Sequence, residues 1–123
     1  GGADYVTSST AWTPVDATNL DLSLATTGGD VIVGFNGHVY NSLTAGVIYF
    51  DVQLSGVSVT SGMGLARNTL GSSTQYAQVA FIYLLTGVSA AAHSIKLMWK
   101  VSSGTATIQA TSIVAQFWAR EVS

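Results

Sequence analysis

The sequence predicts an all-β protein, an antiparallel two-sheet sandwich or jelly roll of about eight to ten short strands. Three observations carry that expectation. Val, Thr and Ser dominate between 13 glycines, with a single proline. Branched side chains fit a pleated surface, and glycine marks turns and bulges. Apolar residues recur at period two, and no stretch keeps a helical period over three turns. Turn signals cut the chain at short, regular intervals. For 123 residues, one domain spanning 1–123 is the natural count.

In chain order, residues 1–12 form an N-terminal arm or first strand. Leu20, Leu22 and Leu24 then alternate with Asp21 and Ser23. Val31, Val33 and Phe35 share a face. Asn36-Gly37 reads either as a type I′ hairpin or as a bulged glycine inside one long strand from Val31 to Tyr40. Ile48, Phe50, Val52 and Leu54 alternate with Asp51 and Gln53. Ile95, Leu97, Trp99 and Val101 alternate with Lys96, Met98 and Lys100, the clearest half-buried strand. Ala106, Ile108 and Ala110 make a shorter one. Turns are expected at Thr27-Gly28-Gly29-Asp30, Ser55-Gly56, Ser61-Gly62, Leu70-Gly71-Ser72-Ser73, Thr86-Gly87 and Ser102-Ser103-Gly104. The expected core includes Phe35, Phe50, Phe81, Leu97, Trp99 and Phe117.

Charge is scarce. Charged residues make up 8% of the chain and hydrophobic ones 48%, against roughly 25% charged in an average domain. Ten ionic side chains cannot cover the surface of a monomer this size, so copies of the chain are expected to cover one another. Two segments support this. Between Tyr76 and Leu85, one face carries Val79, Phe81, Tyr83 and Leu85, and the other Ala80, Ile82 and Leu84. From Ile113 to Val122, Phe117 and Ala119 oppose Trp118 and Val122. An antiparallel sandwich ordinarily shows one polar face to water, so strands apolar on both faces suit an interface between subunits.

Little chemistry is legible. There is no cysteine, so disulfides, thiol nucleophiles and thiolate metal sites are excluded. A net charge of -2 attracts no nucleic acid, and Lys96 and Lys100 alternate with Trp99 instead of stacking beside it. The longest apolar run, Val79 to Leu85, is far short of the ~20 residues of a spanning helix, so no membrane insertion is expected. The chain opens on Gly1 instead of methionine, which points to processing or trimming. His38 and His93 have no motif around them, and a hydrolase would need Asp51 to meet one of them. Asp16, Asn19 and Asp21 form the densest oxygen cluster, suited either to calcium or to capping a turn. Gly62-Met63-Gly64-Leu65-Ala66-Arg67 lacks the helix and Lys-Ser/Thr ending of a phosphate loop. Tyr5, Trp12, Tyr40 and Tyr76 could stack on sugar rings. No cofactor, metal or catalytic residue is expected.

The runs 83–90 (YLLTGVSA), 93–101 (HSIKLMWKV) and 116–122 (QFWAREV), with 13–16 (TPVD) and 28–35 (GGDVIVGF), resemble small trimeric jelly-roll virion proteins of phages and prophages. Those are similar to the tumour necrosis factor and complement globular-head superfamily. The resemblance spans Thr13 to Val122 and is weakest from Gly56 to Gln75. It implies a ten-strand jelly roll assembled as a homotrimer, with Val31 to Tyr40 as one continuous strand and no catalytic residues. On that basis Tyr49, Ile82, Leu84 and Trp118 are expected on the side facing the three-fold axis. The expected role is a non-enzymatic subunit at the virion surface, a capsid decoration or tail-fibre-type protein that binds itself and other virion proteins. The alternative is a receptor-binding or lectin-like head that recognises cell-surface carbohydrate.

Overall fold

The computed structural model describes residues 4–69, 76–111 and 114–122. Among these there is no helix, and the strands are β1 (Tyr5–Thr7), β2 (Thr13–Pro14), β3 (Asp21–Ala25), β4 (Gly29–Asn41), β5 (Ile48–Leu54), β6 (Val57–Ser58), β7 (Ala66–Asn68), β8 (Ala77–Val88), β9 (Ala92–Val101), β10 (Ala106–Ile108) and β11 (Gln116–Glu121). They form two antiparallel sheets. In the first, β4 pairs with β8 along one edge and with β10 and β11, end to end, along the other, while β1 lies outside β10. In the second, β9 and β5 pair at the centre. Strands β2 and β3 flank β9, and β6 and β7 flank β5. Successive groups of strands alternate between the sheets all along the chain.

Period two explains the packing. Side chains at i and i+2 point the same way from a strand, so the alternating runs deliver one apolar face from each sheet. Val31, Val33, Phe35 and Val39 of β4 meet Ile48, Phe50 and Val52 of β5 and Ile95, Leu97, Trp99 and Val101 of β9 in one buried cluster. Three ring contacts tie it together. Phe35 and Phe50 bridge the sheets at 5.3 Å between centroids, while Phe35–Phe81 (5.8 Å) and Phe50–Trp99 (6.3 Å) extend the contact within each sheet. Phe117 is buried as well, and Phe81 is partly buried against the cluster.

Three turn expectations resolve differently. Asn36-Gly37 lies inside one continuous strand, as the second reading expects, though with no bulge there: the β4–β8 register runs unbroken from Val31 to Val39. Gly37 is there because a Cβ would stand 2.8 Å from the Phe35 ring. Thr86-Gly87 lies inside β8. Val31 pairs Leu85 and Gly29 pairs Val88, so Thr86 and Gly87 together face Asp30. Gly87, with φ at 64°, supplies the left-handed residue that such a bulge requires. Ser55-Gly56 is the two-residue hairpin loop, between the Leu54–Val57 pair, with φ of 49° and 85° as a type I′ turn demands. The Leu70–Ser73 turn and Ile113 lie outside the described residues.

Candidate functional site

The outer face of the first sheet is where composition and geometry meet. Odd-numbered residues of β4 point into the core, so Ile32, Gly34, Asn36, His38 and Tyr40 point outward. The register then builds rows across three strands: Ile82–Gly34–Trp118, Leu84–Ile32–Arg120 and Ala80–Asn36–Gln116. Ile82 is 72% exposed, Leu84 47% and Trp118 40%. Gly34 makes the strip flat. A Cβ there would stand 2.4 Å from the Trp118 indole, so the ring lies across the glycine, close to the sheet. Towards the other end of the face the character changes. Gln78 donates to Asn36 Oδ1 at 2.9 Å, and Tyr40 and Tyr76 meet edge to face at 4.9 Å.

Tyr49 does not join this strip. It lies on β5 of the second sheet, flanked by Lys100 and Arg67 as cross-strand partners. Its alternation out of the core matches that of Ile82, but alternation alone does not say which sheet a strand enters. The expected cluster is therefore three residues, Ile82, Leu84 and Trp118, with Ile32 added.

Part of the outer face of the second sheet, around Asp51, is covered by the chain itself. Asp51 is buried there, and its carboxylate accepts from the Val52 amide and from the Ser58 and Thr60 hydroxyls. Those hydroxyls in turn accept from the Gly62 and Gly64 amides. The segment 58–64 is thus latched over the sheet, and Trp12 donates from Nε1 to Gly62 O at 3.2 Å. Asp51 has neither histidine among its hydrogen-bond partners.

His93 has a different partner, one that sequence reasoning missed. Its Nδ1 lies 2.9 Å from Ser55 Oγ and its Nε2 2.9 Å from Ser89 O. The carbonyl can only accept, so in the neutral ring Nε2 donates to it and Nδ1 accepts from Ser55. The two residues meet because β3 and β5 flank β9 at its start, and Ser55 and His93 lie 38 positions apart, with no local signal. The pair holds the Ser55-Gly56 hairpin tip. No carboxylate orients the ring, so the triad logic is not met.

Asp16 caps a turn, accepting from the Thr18 and Asn19 amides and from Asn19 Nδ2. The Asn19 amide, then that of Thr18, holds its pKa below the ordinary value. Asp21 instead accepts from the Ser94 hydroxyl, so of the two readings of this oxygen cluster the hydrogen bonds fit the turn cap. Among the described residues no group of three His, Cys, Asp or Glu could hold a metal ion. Of the candidate stacking aromatics, Tyr5 packs against the core, Trp12 packs by Lys100, and Tyr40 and Tyr76 face each other. The sequence matches no protein-family model and no curated protein.

Proposed function

We propose that this chain is a non-enzymatic structural subunit that assembles as a jelly-roll homotrimer through the outer face of its first sheet. It serves at the surface of a virus particle as a capsid decoration or fibre-type subunit. The observation that carries assembly is the exposed strip of Ile82, Leu84 and Trp118, laid flat over Gly34. Burying the exposed parts of those three side chains contributes roughly 2–5 kcal/mol per subunit. Association costs at least that much, so the interface extends along β11 to the exposed Val122. Strand order supports the jelly roll: β1, then β10 and β11, then β4 and β8 face β2 and β3, then β9, β5, and β6 with β7. The virion setting rests on the strand-and-turn resemblance and on scarce charge.

Sedimentation equilibrium tests the assembly. The expected mass is about 38 kDa, three times the 12.7 kDa chain. Ile82→Glu should give a folded monomer, because an unpaired charge cannot be buried at the interface. A wild-type monomer at tens of micromolar (order-of-magnitude loading, about -6 to -7 kcal/mol in affinity terms) would overturn the reading. Saturable binding of the trimer to purified capsids, in preference to host cells, would support decoration.

A further inference from the structure

The outer face of the second sheet carries a row that the assembly reading leaves unused. Trp12, Lys100, Tyr49 and Arg67 follow one another across it. Lys100 and Arg67 are the cross-strand partners of Tyr49. The Lys100 ammonium lies 5.3 Å from the Tyr49 ring centroid and 4.9 Å from that of Trp12. Beside the row, Tyr49, Arg67 and residues 63–66 line an open groove of about 330 Å³, at the lower end of the ~300–1,000 Å³ of small-molecule sites. Met63 stands at its rim, 84% exposed.

Charge is what singles out this groove. The chain has four Lys and Arg in all and a net charge of -2, yet two of the four flank one tyrosine. The carboxylate on the same face of β5, Asp51, is buried and taken up by the Val52 amide and the Ser58 and Thr60 hydroxyls. We infer that this row is a binding site for an acidic saccharide, a sugar ring bearing a carboxylate or sulfate. The Arg67 fork and the Lys100 ammonium receive the anionic group. The Lys100 ammonium, which lies over the Tyr49 and Trp12 rings, turns to the anionic group. That leaves those ring faces to the C–H face of the sugar, which the negative face of an aromatic quadrupole favours. A shallow groove suits the exposed terminal unit of a longer chain. Two cations on a negative protein are too few to hold a polyphosphate backbone. The strand that carries Tyr49 offers a peptide no edge to join, because β5 is paired on both sides there. The site lies on the sheet opposite the proposed assembly face, so either can fail without the other.

The test is a ¹H–¹⁵N titration of the full chain with 3′-sialyllactose and with a sulfated heparin disaccharide, compared with lactose, sodium sulfate and an octathymidylate. The three tryptophans report separately: Trp12 on this row, Trp99 in the core and Trp118 on the other sheet. Both acidic sugars should shift the Trp12 indole and leave those of Trp99 and Trp118 in place. Lactose should bind about tenfold or more weakly, and Arg67→Gln and Lys100→Gln should each weaken the acidic sugars about tenfold with the melting temperature unchanged. No shift with either acidic sugar by roughly 10 mM, well beyond the millimolar range of weak recognition, would overturn the inference. So would lactose binding as tightly as its sialylated form, sulfate alone matching the sugars, tighter binding of the octathymidylate, or both variants binding like the wild type.

Discussion

The two outer faces of this sandwich meet the same shortage of charge in opposite ways. The second sheet folds its own segment 58–64 over itself, latched by Asp51, and lays Lys100 against two aromatic rings. Among the described residues nothing of the kind lies over the first sheet, and Ile82, Leu84 and Trp118 are exposed in the isolated chain. The difference teaches that apolar strands do not by themselves announce an interface. An apolar face becomes an assembly candidate only when the chain has nothing of its own to lay on it. That is why Tyr49 and Ile82, alike in alternation, part company.

The comparison can be broken first at the core the faces share. Trp99 is 1% exposed and stacks on Phe50. Trp99→Ala should cost roughly 3–5 kcal/mol, read as a lower denaturation midpoint. An unchanged midpoint would mean that the inner and outer sides of β9 are exchanged, and the contrast between faces would go with them. Next comes the latch. Asp51→Ala leaves two hydroxyls and an amide short of their acceptor in a buried place, a cost of roughly 2–3 kcal/mol. Proteolysis should then cut within 58–64 while the oligomer keeps its mass. A segment as resistant as in the wild type would show that Asp51 is not what covers the second sheet.

How much of this could be read from the residues follows from the range of each signal. Alternation is local, so the inward faces of β4, β5 and β9 stand in the sequence, and so does the unusual apolar outer side of β8. Gly37 and Gly87 mislead because a glycine required for close packing or for a bulge looks the same as one in a turn. Asp51 reads as a solvated charge between apolar neighbours, since its burial comes from Ser58 and Thr60 further along the chain. The assignment of Tyr49 depends on Lys100 and Arg67, and the Ser55–His93 pair on residues 38 apart. Cross-strand partners at such separation leave no trace in a single sequence.

A subtler change sharpens the contrast from the first sheet's side. Gly34→Ala puts a methyl where the Trp118 indole lies, at 2.4 Å. The ring must lift away, with an overpacking cost of about 1–2 kcal/mol. The flat strip becomes ridged, so the oligomer should dissociate at higher protein concentration than the wild type, while the 58–64 segment keeps its protease resistance. Dissociation unchanged in sedimentation would remove the indole from the interface.

The smallest effect is expected from acid, and it should leave both faces as they are. Asp4 Oδ1 accepts from the Ala110 and Thr111 amides and from the Thr111 hydroxyl, pinning the start of the chain beside β10. The Ala110 amide, against a smaller opposing effect of desolvation, holds the Asp4 pKa below its ordinary 3.8. A carboxyl whose folded value is depressed contributes stability that is complete above the unfolded value and is lost as pH falls through the folded one. Amide exchange at Ala110 and Thr111 should therefore stay constant from neutral pH down to about 4 and, once corrected for its intrinsic pH dependence, quicken below that. Asp4→Asn should show the quickened exchange already at neutral pH. The strip of Ile82, Leu84 and Trp118 contains no titrating group, so the oligomer mass should hold through the same window. A mass that fell together with Asp4 protonation would mean that charge at the β1 arm, and not the bare apolar face, keeps the copies together.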